Sequence, residues 1–186
     1  MSLAVAFATI VGLLQASDQP LKPKSMTREL PTLASPRIIV KKGKRSLLLY
    51  DGDEFVKSYK VVLGFDPDAD KEIEGDGRTP EGEFYIFTKN SKSRFHLSLG
   101  ISYPDKLDAD RGVRDGLITE DDRKSIYTAI DRKVMPLQKT PLGGEIYIHG
   151  GGVASDWTDG CVALDDAEIE ELFNAVPVGT KVLIKP

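Results

Sequence analysis

Ile146-Tyr147-Ile148-His149-Gly150-Gly151-Gly152 and, after residues 153–157, Thr158-Asp159-Gly160-Cys161-Val162-Ala163-Leu164 are the stretch on which the reading of this chain turns. The first run is a short apolar strand that delivers a histidine into three glycines. Such a strand end places an imidazole at a sheet edge, where backbone can approach a ligand closely. The second run is a turn that Gly160 can tighten, followed by a short apolar strand opening on a cysteine. A turn of that kind can aim backbone N–H groups at developing negative charge. Cys161 is the only cysteine of the 186 residues and His149 one of two histidines, and they stand twelve positions apart. A thiol becomes a competent nucleophile when a neighbouring histidine generates or stabilises the thiolate. A small buried hydrophobe is the competing reading of a lone cysteine.

The flanking sequence reads mostly as strands. Ile38–Val40, Ser46–Tyr50 and Val56–Leu63 are short apolar or alternating runs, separated by the hairpin turns Lys42-Gly43-Lys44 and Asp51-Gly52-Asp53. Gly64 to Gly82 is turn-rich, with Gly75-Asp76-Gly77-Arg78-Thr79-Pro80-Glu81-Gly82 at its heart, and Glu83–Thr88 and His96–Ile101 follow as strands. Thr119 is placed to cap a helix from Glu120 to about Arg132. After Pro141-Leu142-Gly143-Gly144 come the strands Glu145–His149 and Cys161–Leu164. Asp165-Asp166-Ala167-Glu168 has capping-box spacing and opens a helix to about Ala175, and Lys181–Ile184 closes as a strand. The expectation is a mostly-β domain with two or three helices over residues 37–186. Helix Glu120–Arg132 and the loop before it, Asp105–Asp115, read as a solvated layer on the sheet, with a lid as the alternative.

Composition narrows the function classes. Hydrophobic residues make up 40% and charged residues 29%, enough apolar material for a core without disulfides. The net charge is -4 with the signs interspersed, which argues against a nucleic-acid footprint. One Cys and two His are too few for a typical all-Cys/His zinc site. Residues 1–16, MSLAVAFATIVGLLQA, are almost wholly apolar but shorter than the roughly 20 residues a membrane span needs. They read as the core of an export signal or an anchor, without the usual basic start, against a buried N-terminal helix. Residues 17–36 carry Pro20, Pro23, Pro31 and Pro36 and read as a linker.

His-Gly followed by Ser/Thr-x-Gly-Cys resembles the signature of the L,D-transpeptidase (YkuD-like) catalytic domain. Gly75–Gly82 is similar to that family's Gly-x-x-x-Thr-Pro-x-Gly segment, and Pro141–Gly150 to the strand leading into its histidine. The resemblance spans roughly residues 37–186 and implies a β-sandwich or barrel acting on peptidoglycan stem peptides. It implies Cys161 as nucleophile, His149 as base, the Gly150 carbonyl as third partner, and the Gly160 and Cys161 N–H groups at the oxyanion. It further implies that no metal or organic cofactor is needed. The apolar start together with that substrate points to the periplasm or extracytoplasmic envelope, exported or N-terminally anchored, and a monomer is expected. The chain departs from the commoner pattern in three respects. Asp159 stands where a histidine is usual, Ala163 where an arginine is common, and the spacing from His149 to Thr158 is short. Hydrolysis of a stem peptide or of a wall-linked protein, a non-catalytic wall-binding module, and an unrelated cysteine protease are the alternatives.

Around the pair, Thr158, Asp159, Trp157, Gly151 and Arg78 are the candidate substrate-binding residues. Trp157 either lines the groove or anchors the loop by burying its ring. Asp156 and Asp159 either meet substrate amines or, the favoured reading, hydrogen-bond their own turns. Arg78 is a candidate replacement for the arginine absent at position 163. His96 reads as a satisfied structural histidine.

Overall fold

The computed structural model describes residues 30–186. In chain order the strands are β1 (Pro36–Lys41), β2 (Ser46–Asp51), β3 (Glu54–Lys60), β4 (Gly82–Ser93), β5 (His96–Ile101), β6 (Tyr147–His149), β7 (Val162–Ala163) and β8 (Lys181–Lys185). The helices are α1 (Lys106–Arg114), α2 (Glu120–Arg132) and α3 (Asp166–Ala175). Alternation sets the register of the opening meander. Ile38 and Val40 of β1 face Leu49 and Leu47 of β2, and all four are buried. β8 adds alongside β1 in parallel, setting Val182 and Ile184 against Ile38 and Val40. Each such Ile, Leu or Val contributes about 1.5–3 kcal/mol by leaving water.

The eight strands form one mixed sheet in the order β3-β2-β1-β8-β4-β5-β6-β7. Its two ends curl round to meet. Val62, just past β3, exchanges both backbone hydrogen bonds with Ala163 of β7 (3.0 and 2.9 Å), and Phe65 N–H donates to Thr158 O (3.0 Å). Closure removes most of the free edge an open sheet would leave, and it brings the Gly64–Gly82 segment beneath the Cys161 turn. Ile169 and Leu172 of α3 press into the main core.

Helices α2 and α3 and all eight strands fall where the sequence places them, within a residue or two at most ends. The segment Asp105–Asp115, expected as loop, is largely helix α1. The Asp105 side chain accepts from Leu107 and Asp108 N–H, and Asp108 returns a bond to Asp105 N–H. α1 and α2 form a hairpin with a small core of Ala109, Ile118, Ile126 and Leu142. α2 begins on Thr119, which shares a reciprocal capping box with Asp122. At α3 the Asp165 side chain makes no capping bond, in contrast to the expected box. Residues 1–16 and most of the linker lie outside the described residues. Among those described, Leu30 and Leu33 pack against the core, and Ala34 and Ser35 N–H donate to the Asp51 carboxylate. No helix of the described residues is long and apolar enough to cross a membrane.

Candidate active site

Thr158 is the staple of the Cys161 turn. Its hydroxyl donates to Cys161 O (2.7 Å) and accepts from Gly160 N–H (3.2 Å), and its side chain is buried. Gly160 sits at φ +121°, and a Cβ there would stand 2.6 Å from the Arg78 carbonyl, so glycine is required twice over. The same seam explains Thr79 of the Gly-rich segment, whose buried hydroxyl accepts from Gly64 N–H (3.0 Å) while Gly64 packs under Gly160. With Gly160 N–H committed to Thr158, the candidate oxyanion donor left at the turn is Cys161 N–H, which meets no protein acceptor among the described residues. That narrows the expected pair of donors.

Cys161 is half-buried beside β6. Its thiol accepts from Tyr147 N–H (3.3 Å) and donates to Glu145 O (3.6 Å). His149 is buried on the same strand. β6 and β7 run parallel with His149 opposite Ala163, so Cys161 lies two positions back along the neighbouring chain, on the face His149 shares. His149 Nδ1 stands 2.6 Å from Gly150 O. A carbonyl only accepts, so Nδ1 carries the proton and Nε2 keeps a lone pair. The ring is gripped by aromatics. Phe95, at the tip of the β4–β5 hairpin, stacks on it with centroids 4.5 Å apart, and Trp157 meets it edge-on at 5.5 Å. Gly150 N–H donates to Phe95 O (3.1 Å) and ties the hairpin to the histidine loop.

The electrostatics favour an uncharged resting pair. Burial pushes the Cys161 thiol up to about 11, and the Asp159 carboxylate adds to the rise, against Tyr147 N–H and the charges of Lys71 and Arg94. Burial also holds His149 below its ordinary 6.5, against the Gly150 bond, with Arg94 pulling the same way as burial. At neutral pH the site therefore holds thiol and imidazole, and the thiol needs a base to ionise. Among the described residues no cluster of His, Cys, Asp and Glu could hold a metal ion.

The other sequence candidates separate. Trp157 grips His149, donates Nε1–H to Gly152 O (3.2 Å), and keeps about a third of its surface (37%) exposed. Gly151 N–H donates to the Asp166 carboxylate (2.9 Å), and a Cβ on Gly151 would stand 3.1 Å from the Trp157 ring. Asp156 is a clasp: both its oxygens accept from Arg45 and it also takes Leu63 N–H (2.8 Å). Arg78 is engaged by Asp66 (2.9 Å) and Glu72 (3.5 Å) in its own loop. His96, expected as a satisfied structural histidine, is exposed, at φ +70° and 4.0 Å from Glu170. Asp159 is exposed with its carboxylate free of donors among the described residues. Phe95, Arg94 and Tyr147 were not singled out from the sequence, since only the strand pairing brings them to the pair.

A family model, the L,D-transpeptidase catalytic domain (YkuD), matches residues 35–184. The chain belongs to that family. Solved structures agree on the fold. The helical cell shape determining protein Pgp2 of Campylobacter jejuni superposes with a TM-score of 0.57 at 22% identity, over 84% of this chain and 49% of that one. Bd1075 of Bdellovibrio bacteriovorus gives 0.53 at 18% identity, over 84% and 52%. An L,D-transpeptidase of Mycobacterium smegmatis gives 0.50 at 10%, over 82% and 59%. The chain thus spans half to three-fifths of these neighbours' lengths. No curated protein matches it. The structure gives the L,D-transpeptidase departure at position 163 a physical setting: Ala163 is fully buried in the closing bridge to Val62.

Proposed function

We propose that this domain is a peptidoglycan acyl-transfer enzyme that works through a thioester on Cys161. The observation that carries the reading is the Nδ1–Gly150 contact, which leaves His149 Nε2 as a neutral base on the face of the lone, protonated thiol. Nε2 takes the thiol proton as sulfur attacks the carbonyl between the third stem residue and its terminal D-Ala. Charge grows on the carbonyl oxygen, where Cys161 N–H can donate. The C–N bond breaks, and the imidazolium passes its proton to the departing amine. An acceptor amine then attacks the thioester, giving up a proton that returns through His149 to the thiol. Water in that role gives hydrolysis. Lys71, Arg94 and Tyr147 N–H favour the transient thiolate. The substrate places the domain in the extracytoplasmic envelope, and wall-attached proteins are a second class of amide that could enter the same site.

The test is mass spectrometry of tetrapeptide muropeptides incubated with wild type and with Cys161→Ala. Cys161-dependent loss of D-Ala with new cross-links marks a transpeptidase, and loss without cross-links a hydrolase. Peptides unchanged by the wild type, with Cys161 also left unmodified by a carbapenem, would overturn the enzyme reading in favour of a binding module.

A further inference from the structure

The arginine common after the cysteine is replaced by a buried Ala163, and Arg78 is held by Asp66 and Glu72. Arg37, Arg45, Arg111, Arg114 and Arg123 likewise have carboxylate partners. Among the described residues that leaves Arg132, at the end of α2, and Arg94, on the active-site hairpin. Arg94 is exposed, and its guanidinium lies over the Phe95 ring, 4.6 Å from the centroid. Phe95 in turn stacks on His149 at 4.5 Å, so an unpaired cation stands one aromatic ring away from the base. Stacking leaves the guanidinium edge, with its N–H donors, free to fork onto a carboxylate.

The direction of the reaction says which carboxylate. This step rests on the function proposed above. His149 hands its proton to the departing amine, so the residue that carries this amine lies on the imidazole side of the scissile bond. Its C-terminal carboxylate is one carbon from that nitrogen and points onward, away from Cys161. The exposed Asp159 lies on the cysteine side, where its charge repels a carboxylate. Arg94 lies on the other. We propose that Arg94, shelved on Phe95, binds the terminal carboxylate of the leaving residue and makes the site selective for stems that end where the enzyme cuts. An additional C-terminal residue moves the carboxylate out of reach, and an amide cap removes its charge. The influence of Arg94 on both His149 and Cys161 agrees with its proximity.

The experiment measures binding separately from turnover. Full-length Cys161→Ala is titrated calorimetrically with a stem tetrapeptide bearing either a free C-terminal carboxylate or a C-terminal amide. The free acid is expected to bind about tenfold more tightly. Adding Arg94→Gln abolishes the preference, and Arg94→Lys restores part of it, since an ammonium supplies charge without the fork. In the otherwise wild-type enzyme Arg94→Gln raises KM for the free acid about tenfold and leaves KM for the C-terminal amide within about twofold. Equal affinities for acid and amide, or a preference that survives Arg94→Gln, overturns the assignment. A preference that depends on Arg94 in a protein that releases no D-Ala would refute the proposed reaction and leave the carboxylate site standing.

Discussion

Replacing Thr158 by valine keeps the shape of the buried side chain and removes one hydroxyl. In the native turn that hydroxyl holds two backbone groups, donating to Cys161 O at 2.7 Å and accepting from Gly160 N–H at 3.2 Å. Each bond is worth about 1 kcal/mol net, and stranding a buried partner costs about 1–3 kcal/mol. Gly160 is buried and cannot turn its N–H to water without breaking its fit against Arg78 O. Thr158→Val should therefore destabilise the domain by about 2 kcal/mol, lowering Tm by roughly 4–8 °C at this size. The functional loss should be larger than the stability loss. The turn positions the proposed nucleophile, and a displacement on the order of 1 Å from reacting geometry costs about a hundredfold in rate. Differential scanning calorimetry reads the first quantity, and the rate of D-Ala release at a temperature where the variant is fully folded reads the second. Thr158→Ser should recover most of both. A Thr158→Val protein that melts with the wild type and reacts at its rate would refute the role given to this hydroxyl.

Other substitutions test the electrostatics and the clasp. Asp159→Asn removes a carboxylate that helps hold the thiol up, so iodoacetamide should alkylate Cys161 faster at pH 8; an unchanged rate would mean Asp159 is too far from the sulfur to matter. Asp156→Ala removes the bidentate partner of Arg45 and the acceptor of Leu63 N–H, and should cost about 1–3 kcal/mol. A double-mutant cycle with Arg45→Ala should give a coupling of about 1 kcal/mol, and strict additivity would deny the clasp. Phe95→Ala strips the stacked neighbour from His149, so its lowered pKa should rise toward the ordinary imidazole value. Because the neutral imidazole is the proposed base, wild-type kcat/KM should hold down to below pH 6.5 before it falls. In Phe95→Ala that acid limb should move to higher pH; an unmoved limb would show that the ring does not set the base.

Much of this was legible in the sequence because local physics decides it. Thr119 announces the start of α2, and the alternation of Ile38, Val40, Leu47 and Leu49 writes out the first hairpin. Helix α1 was hidden because Lys106–Arg114 is highly charged and interrupted by Gly112, with Ala109 and Val113 its main apolar residues after Leu107. Its stability comes from the Asp105 cap and from packing on Ile118 and Leu142, the latter far along the chain. The site divides in the same way. His149, Gly150, Gly160 and Cys161 stand in short, glycine-marked segments that a reader can find. The Asp156–Arg45 clasp joins residues 111 positions apart, and Phe95 reaches His149 only through the pairing of β5 with β6. No local pattern encodes either contact. Asp156, expected to hydrogen-bond its own turn, instead takes a remote arginine and Leu63 N–H.

The claim that binds these observations together is that the resting Cys161 thiol is neutral and is activated by His149 only as it attacks. The thiolate fraction at a thiol near 11 is about a hundredfold smaller than at 9.0, so the free enzyme should alkylate slowly at pH 8. Substrate should nonetheless acylate it. The direct measurement is intact-mass spectrometry, quenched in acid, of wild type, His149→Gln and Cys161→Ala mixed with a stem tetrapeptide. The expected result is a wild-type mass increase equal to the tetrapeptide less one D-Ala, mapped to Cys161. The adduct should be absent from Cys161→Ala and slowed at least about a hundredfold in His149→Gln. An adduct forming at the wild-type rate in His149→Gln, or one mapping to any residue other than Cys161, would contradict the account.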